Sequence, residues 1–112
     1  MALGIKNIRD IAVISVPGPR LDANNTKEFK SAIAETLRGY RRVLLDMSQL
    51  SFVDSSGLGA LVSCLRQLNA SGGDLKLCGM TKPVRTLFEL VRMHRVFDIR
   101  NTEEEALQAF QQ

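Results

Sequence analysis

The sequence has few of the residues on which most catalytic and metal sites depend. Its 112 residues include one histidine, two cysteines, one tyrosine and no tryptophan. Cys64 and Cys78 form no C-x-x-C pair and have no neighbouring histidine, so neither a zinc site nor a redox role is indicated. Both are expected to be small buried residues without a disulfide. With only five phenylalanines, the core is expected to be mainly aliphatic.

Long apolar segments are also missing. No apolar run approaches the roughly 18 residues that a membrane-spanning helix needs. The first six residues lack the charged start and long apolar block of a signal peptide. The chain is therefore expected to be cytoplasmic and to make no contact with a membrane.

Basic residues only slightly outnumber acidic ones. Fifteen Lys and Arg stand against twelve Asp and Glu, a formal net charge of +3. No nucleic-acid motif or aromatic stacking surface accompanies the arginines, so direct binding of nucleic acid is not expected. The basic clusters at 38–42 and 85–100 are interpreted as a solvated face. A contact surface for an acidic protein partner is the second interpretation.

Motifs of the common enzyme classes are absent too. There is no Walker A loop, no G-x-G-x-x-G and no zinc-binding spacing. A serine hydrolase needs a base beside its nucleophile, but His94 lies at the end of a different helix from Ser56, and S-S-G-L-G replaces G-x-S-x-G. A cluster of Asp22, Asp46 and Asp54 is the only metal hypothesis, and Asp46 can equally accept backbone N–H bonds at a strand end. We expect no enzymatic activity, no metal and no cofactor.

What the sequence does contain is a regular alternation of apolar runs and amphipathic segments. Helices are predicted from about Asn24 or Asn25 to Gly39, from Ser56 to Asn69, from Thr81 to an exit at 93–95, and after Thr102. Strands are predicted at 5–9, 11–17, 43–47, 74–79 and 96–99. The order ββαβαβαβα predicts a single α/β domain over residues 1–112. Its small sheet is mostly parallel, with right-handed crossovers and an antiparallel first strand at one edge.

Several side chains are expected to define the ends and buried faces of these helices. Asn25 with Glu28, and Thr102 with Glu105, resemble capping boxes. Thr81 is expected to cap the third helix. The apolar faces of the first and third helices are predicted to be Phe29, Ile33 and Leu37, and Val84, Leu87, Phe88 and Val91.

The most informative stretch is Leu50–Leu61, which leads into the second helix. Asp54 or Ser55 can cap the helix N-terminus, and Gly57 and Gly59 allow another backbone to come close. A phosphate on Ser56 would be favoured by the helix N-terminus and repelled by Asp54, which suits a reversible modification. The simpler interpretation is that Asp-Ser-Ser-Gly is only a helix cap.

The segment Phe52-Val53-Asp54-Ser55-Ser56-Gly57-Leu58-Gly59 resembles the phosphorylation loop of STAS-domain anti-sigma factor antagonists, which act in bacterial partner-switching systems. Weaker matches at 21–23, 73–78 and 84–90 extend the resemblance over nearly the whole chain. It implies a STAS fold with about four helices, mainly on one face of the sheet. It also implies that Ser56 accepts the phosphate, with Ser55 as the alternate.

The resemblance further implies a mechanism and its partners. The unmodified protein, a monomer when free, would bind an anti-sigma factor that is also a serine kinase, and would thereby release the sigma factor. Phosphorylation of Ser56 would abolish binding, and a PP2C-type phosphatase would restore it. The partner surface is expected to comprise Asp22, Asn24, Asn25, Asp54, Ser55, Gly57, Leu58, Gly59, Met80 and Thr81.

One departure and one alternative remain. Pro19 stands where family members often have glycine, and its restricted φ stiffens the approach to Asp22. The alternative function is that of an accessory STAS subunit in a stressosome, secretion or transporter-regulating complex. Such a subunit would act through a fixed interface without a phosphorylation switch.

Overall fold

The computed structural model describes residues 1–111, which form seven strands, four α-helices and one 3₁₀ helix. The strands are β1 (Gly4–Ile8), β2 (Ile11–Ser15), β3 (Arg20–Leu21), β4 (Arg42–Asp46), β5 (Phe52–Val53), β6 (Asp74–Cys78) and β7 (Asp98–Arg100). The α-helices are α1 (Thr26–Gly39), α2 (Ser55–Ala70), α3 (Lys82–Leu90) and α4 (Glu103–Ala109), and the 3₁₀ helix is Met93–Arg95.

The main sheet has the predicted mixed topology. Its strand order is β1-β2-β4-β6-β7. β1 pairs antiparallel with β2 at one edge, and the remaining pairs are parallel. The predicted fold class is therefore confirmed. Because the parallel strands share a direction, the loops that follow β2, β4 and β6 leave the sheet at the same edge.

Both faces of the sheet are covered, but unequally. The larger core lies between the sheet and α1, α2 and α3, and it contains Phe29, Ile33 and Phe88. The smaller core on the opposite face packs Ala106 and Phe110 of the α4 segment against the sheet. Strand alternation assigns Leu75 and Leu77 to the first core and Cys78 to the second, as predicted. Two covered faces explain why β2 and β4 are nearly continuous apolar runs.

A second, two-stranded sheet was not predicted. In it β3 pairs in parallel with β5, placing Arg20 opposite Phe52 and Leu21 opposite Val53. Strands of two residues are too short to produce a periodic pattern, so no sequence signal predicts them.

The predictions around the end of α3 were wrong in two places. Val91 lies beyond α3 and is exposed. The last strand begins at Asp98 rather than Val96, because the backbone N–H groups of Val96 and Phe97 both donate to the Met93 carbonyl and extend the 3₁₀ turn.

The predicted side-chain caps of α1 and α3 are also corrected. Asn25 occupies the N-cap of α1, but its Oδ1 accepts from the Asp22 N–H at 2.9 Å, and its Nδ2 donates to the Arg20 carbonyl at 2.7 Å. Thr81 precedes α3, but its hydroxyl donates to the Leu50 carbonyl at 2.6 Å. Both side chains join segments outside their helices. Neither side chain accepts a hydrogen bond from the first turn of its helix.

The capping box predicted for α4 is half formed. The Thr102 hydroxyl accepts from the Glu105 N–H at 3.1 Å. The Glu105 carboxylate, however, accepts from the Asn101 N–H at 3.3 Å rather than from Thr102. The start of α4 is therefore capped, without the reciprocal bond of a capping box.

The two cysteines are free and buried, as expected. Burial raises the pKa of Cys64 to about 11 and that of Cys78 to about 12. Both thiols are therefore protonated at neutral pH and are poor nucleophiles. Across residues 1–111, none of the helices has the length and apolar character needed to cross a membrane.

One lysine is buried on the second face of the sheet. Lys76 Nζ lies 2.7 Å from Asp98 Oδ2 and 3.2 Å from Asp74 Oδ2, and 4.9 Å from the centre of the Phe110 ring. Hydrogen bonds from Arg100 and Lys76 hold the pKa of Asp98 below its ordinary value of 3.8. The ionised carboxylate thus stabilises the fold.

Replacing Asp98 with asparagine is expected to lower the free energy of unfolding by about 1–3 kcal/mol at pH 7. The loss is smaller than that for a fully buried pair, because Asp98 is about one-third exposed and Asp74 remains beside Lys76. Urea unfolding measures the change. Asp10→Asn removes the exposed Arg42–Asp10 pair and should cost less than about 1 kcal/mol. Equal losses in the two variants would contradict this assignment.

The difference between the wild type and Asp98→Asn should also depend on pH. Because the pKa of Asp98 is lowered in the folded state, its stabilisation is complete well above the unfolded pKa of about 4. It is lost as the pH falls through the folded pKa. Unfolding free energies measured from pH 7 to pH 2 should therefore converge below about pH 4. A difference that persists undiminished at pH 2 would show that the ion pair is not its source.

Candidate functional site

The candidate site is built where the β3–β5 sheet joins the approaches to α1 and α2. The backbone N–H of Ser51 donates to the Pro19 carbonyl at 2.8 Å, and that of Asp54 donates to the Leu21 carbonyl at 3.3 Å. These bonds bring together two loops that are separated by more than thirty residues in the sequence. The loop after β6 joins them through the bond from Thr81 to the Leu50 carbonyl.

Asp54 connects the two loops through its carboxylate. Its Oδ1 accepts from the Gly57 N–H at 2.9 Å and thereby caps α2. Its Oδ2 accepts from the Ala23 N–H at 3.1 Å, in the segment that leads into α1. Of the two predicted caps, Asp54 is therefore the one that is used, and Ser55 is not.

The two glycines of the loop have different roles. A Cβ at Gly57 would overlap the Leu21 carbonyl, so only glycine allows this approach of α2 to β3. A Cβ at Gly59 would meet nothing within 4 Å. The expectation of close backbone approach holds for Gly57 and is wrong for Gly59.

Ser55 and Ser56 are the first two residues of α2, and both are exposed. Within the part of the chain that the structure describes, neither hydroxyl forms a hydrogen bond. The first bond of the helix runs from the Leu58 N–H to the Asp54 carbonyl at 2.9 Å. Both hydroxyls therefore lie at the positive end of the helix dipole without a structural task.

Asp22 organises its own loop. Its carboxylate accepts from Arg20 Nε at 2.9 Å and from the Asn24 N–H at 3.0 Å. The Arg20 hydrogen bond, with help from the Asn24 N–H, holds the pKa of Asp22 below its usual range. Asp22 is only 7% exposed, so it offers a partner little surface. Asn24 is exposed beside it.

The apolar residues predicted for the partner surface contribute unequally. Met80 is 9% exposed and belongs to the larger core, so it supplies almost no contact area. Leu58 is half-buried and packs against the same core. Thr81 is also half-buried, and its hydroxyl is occupied by Leu50.

The metal hypothesis is contradicted. Residues 1–111 contain no group of three or more His, Cys, Asp or Glu side chains placed to hold a metal ion. Asp46 instead accepts from the Ser48 N–H at 2.9 Å, the backbone bond considered as its alternative role. His94 is exposed in the 3₁₀ helix that follows α3.

Two residues at the site were not predicted. Phe52 is 40% exposed, and the Arg20 guanidinium lies 4.1 Å from the centre of its ring. In β5, Phe52 is exposed and its neighbour Val53 is buried. No sequence signal connects Arg20 with Phe52, because their contact depends on the unpredicted β3–β5 pairing.

The chain is similar to known proteins over nearly its whole length. The model of the family described as "STAS domain" matches residues 2–106. A Bordetella bronchiseptica protein named "Putative anti-sigma factor antagonist BtrV" is 30% identical over 110 residues, which cover 98% of this chain and 95% of the relative.

Solved structures show the same similarity. The crystal structure of a "putative anti-sigma factor antagonist" from Thermotoga maritima matches with a TM-score of 0.91 at 26% identity, covering 98% of this chain and 95% of that one. The Bacillus cell fate determinant SpoIIAA in its phosphorylated form matches with a TM-score of 0.71 at 25% identity, covering 97% and 99%.

The contrast between the two glycines gives a matched pair of variants. Gly57→Ala is expected to lower the free energy of unfolding by about 1–3 kcal/mol, because α2 must move away from the Leu21 carbonyl. The methyl group added by Gly59→Ala would have no neighbour within 4 Å. This variant should stabilise α2 by up to about 1 kcal/mol, because alanine has a higher helix propensity than glycine. Chemical denaturation measures both. Similar changes in the two variants would contradict the described packing of α2.

Proposed function

This chain belongs to the STAS domain family, and on that premise we propose that its 112 residues act as a single-domain anti-sigma factor antagonist switched by phosphorylation. The phosphate acceptor is Ser56, with Ser55 as the alternate. The unmodified protein binds an anti-sigma factor that is also a serine kinase, and so releases the sigma factor. A PP2C-type phosphatase reverses the modification. Its relatives are regulatory binding proteins, and no enzymatic activity is assigned to the chain itself.

The observation that carries this proposal is that the fold does not use the Ser56 hydroxyl. Asp54 alone supplies the side-chain cap of α2, so the serines are not needed as caps. Ser56 is exposed and accessible to a kinase. These facts favour a modifiable residue over the simpler interpretation of Asp-Ser-Ser-Gly as a cap motif.

The local electrostatics suit a modification that changes binding without unfolding the protein. A phosphoserine adds a charge of about −2, and the backbone N–H groups at the start of α2 favour an anion at that position. The carboxylate of Asp54 opposes it. Because Asp54 is tied to Ala23 and Gly57, the added charge alters the surface that a partner meets more than the loops beneath it.

The size of the effect is sufficient for a switch. An unpaired charge buried at an interface costs about 2–5 kcal/mol. This corresponds to a loss of affinity of roughly thirtyfold to several thousandfold. SpoIIAA is 25% identical to this chain, and a structure of its phosphorylated form is known. This similarity supports the same kind of modification here.

Variants of Ser56 test the switch with a purified anti-sigma factor kinase from the source organism. Ser56→Ala should bind within about threefold of the wild type and incorporate no phosphate from ATP. Ser56→Asp should bind at least thirtyfold more weakly. Both should keep the wild-type thermal stability, because the hydroxyl has no structural partner. Calorimetry measures binding, and intact mass spectrometry measures phosphate incorporation.

Ser55→Ala is the matched control, since its hydroxyl is equally exposed one residue earlier. It should be phosphorylated and should bind as the wild type does. If Ser55→Ala incorporates no phosphate while Ser56→Ala still does, the acceptor is Ser55. Equal binding by Ser56→Ala and Ser56→Asp would contradict the switch and support the accessory-subunit alternative.

A further inference from the structure

Arg20 and Phe52 form an exposed platform next to the serine loop. They lie opposite each other in the β3–β5 sheet, with the guanidinium carbon 4.1 Å from the ring centre. Building on the proposed function, we infer that this Arg20–Phe52 platform is the main specificity contact for the anti-sigma factor. It binds an acidic side chain that lies beside an aliphatic one on the partner.

The β3–β5 sheet presents one face to the core and the other to solvent. Leu21 and Val53 are buried in the larger core. Arg20 and Phe52, one residue earlier on each strand, are exposed. The inward face therefore accounts for the stability of this small sheet, and the outward aromatic ring is left for another molecule. Aromatic residues and arginine are enriched among the residues that dominate binding energy at protein interfaces.

The arginine is already held in place. Its Nε donates to Asp22 Oδ2 at 2.9 Å, and its guanidinium carbon lies over the Phe52 ring. In the described residues, its terminal nitrogens form no hydrogen bond. They can therefore bind a carboxylate through two parallel bonds, which the planar guanidinium does better than a lysine ammonium. Because two contacts restrict the side chain before binding, less conformational entropy is lost on association.

The platform is continuous with the surface assigned to the phosphorylation switch. Arg20 contacts Asp22, and Phe52 is two residues before Asp54, which holds both loops. A partner that covers Ser56 is therefore well placed to reach Phe52. The aliphatic part of the partner would pack on the exposed ring, and its carboxylate would approach the guanidinium.

Affinity measurements with the anti-sigma factor kinase used for the Ser56 variants test this inference. Arg20→Gln and Phe52→Ala should each weaken binding about tenfold or more. Each should also lower kcat/KM for Ser56 phosphorylation by a similar factor, because the kinase docks on the same surface. Arg20→Lys keeps the charge but loses the planar group, so it should bind nearly as weakly as Arg20→Gln.

Matched controls lie outside the β3–β5 sheet. Arg9→Gln removes the same charge from an exposed arginine in the turn between β1 and β2, and Val96→Ala removes apolar surface from a residue just after the 3₁₀ helix that is 48% exposed. Both should bind within about threefold of the wild type. The melting temperature of each variant shows that it is folded. Because Arg20 and Phe52 lie on separate strands, one variant still tests the platform if the other unfolds.

The outcomes separate this inference from the proposed function. Suppose that the wild type binds and Ser56→Asp does not, but that Arg20→Gln and Phe52→Ala bind like the wild type. The proposed role of the Arg20–Phe52 platform is then wrong, and the phosphorylation switch is supported. Wild-type affinity in Arg20→Lys, or an equal loss in Arg9→Gln, would overturn the carboxylate contact, because charge alone would then suffice. Absence of binding by the wild type would overturn both proposals.

Discussion

The candidate site depends on the two hydrogen bonds that the carboxylate of Asp54 accepts. One oxygen caps α2 at Gly57, and the other holds Ala23 at the entrance to α1. Both donors are backbone N–H groups, so the carboxylate sets the relative position of the two chain segments. This arrangement also leaves the neighbouring serine hydroxyls without a structural task. The residue that shapes the loop and the residue proposed to be modified are thus different.

Three further contacts maintain this arrangement. The missing side chain at Gly57 lets α2 approach Leu21, and the backbone bonds of β3 and β5 align the loops. The bond between Arg20 and Asp22 stabilises the first loop. Together they make a packed and hydrogen-bonded support for an exposed hydroxyl. A charge added to such a support changes what a partner meets without requiring the domain to unfold, and this is the physical basis of the proposed switch.

Sequence reasoning succeeded where the signal is local or periodic. The apolar spacing of Phe29, Ile33 and Leu37 identified the buried face of α1, and the continuous apolar runs identified strands covered on both faces. It failed where a side chain has a choice of partner. Asn25 and Thr81 stand at helix N-termini, as predicted, but both bind carbonyl or N–H groups outside their helices. Met80 follows a strand, but it packs inward instead of facing a partner.

The sequence by itself determined the chain order of the four helices and of the five strands in the main sheet, the antiparallel edge strand and the loop that carries Ser56, because each of these depends on neighbouring residues or on a regular period. The tertiary structure alone decided that Asp54 also holds Ala23, that Gly57 is required and Gly59 is not, and that Arg20 meets Phe52. Those outcomes depend on distances between segments far apart in the chain. They are set only when the apolar faces of the helices and the sheet pack together and bring the loops to one edge.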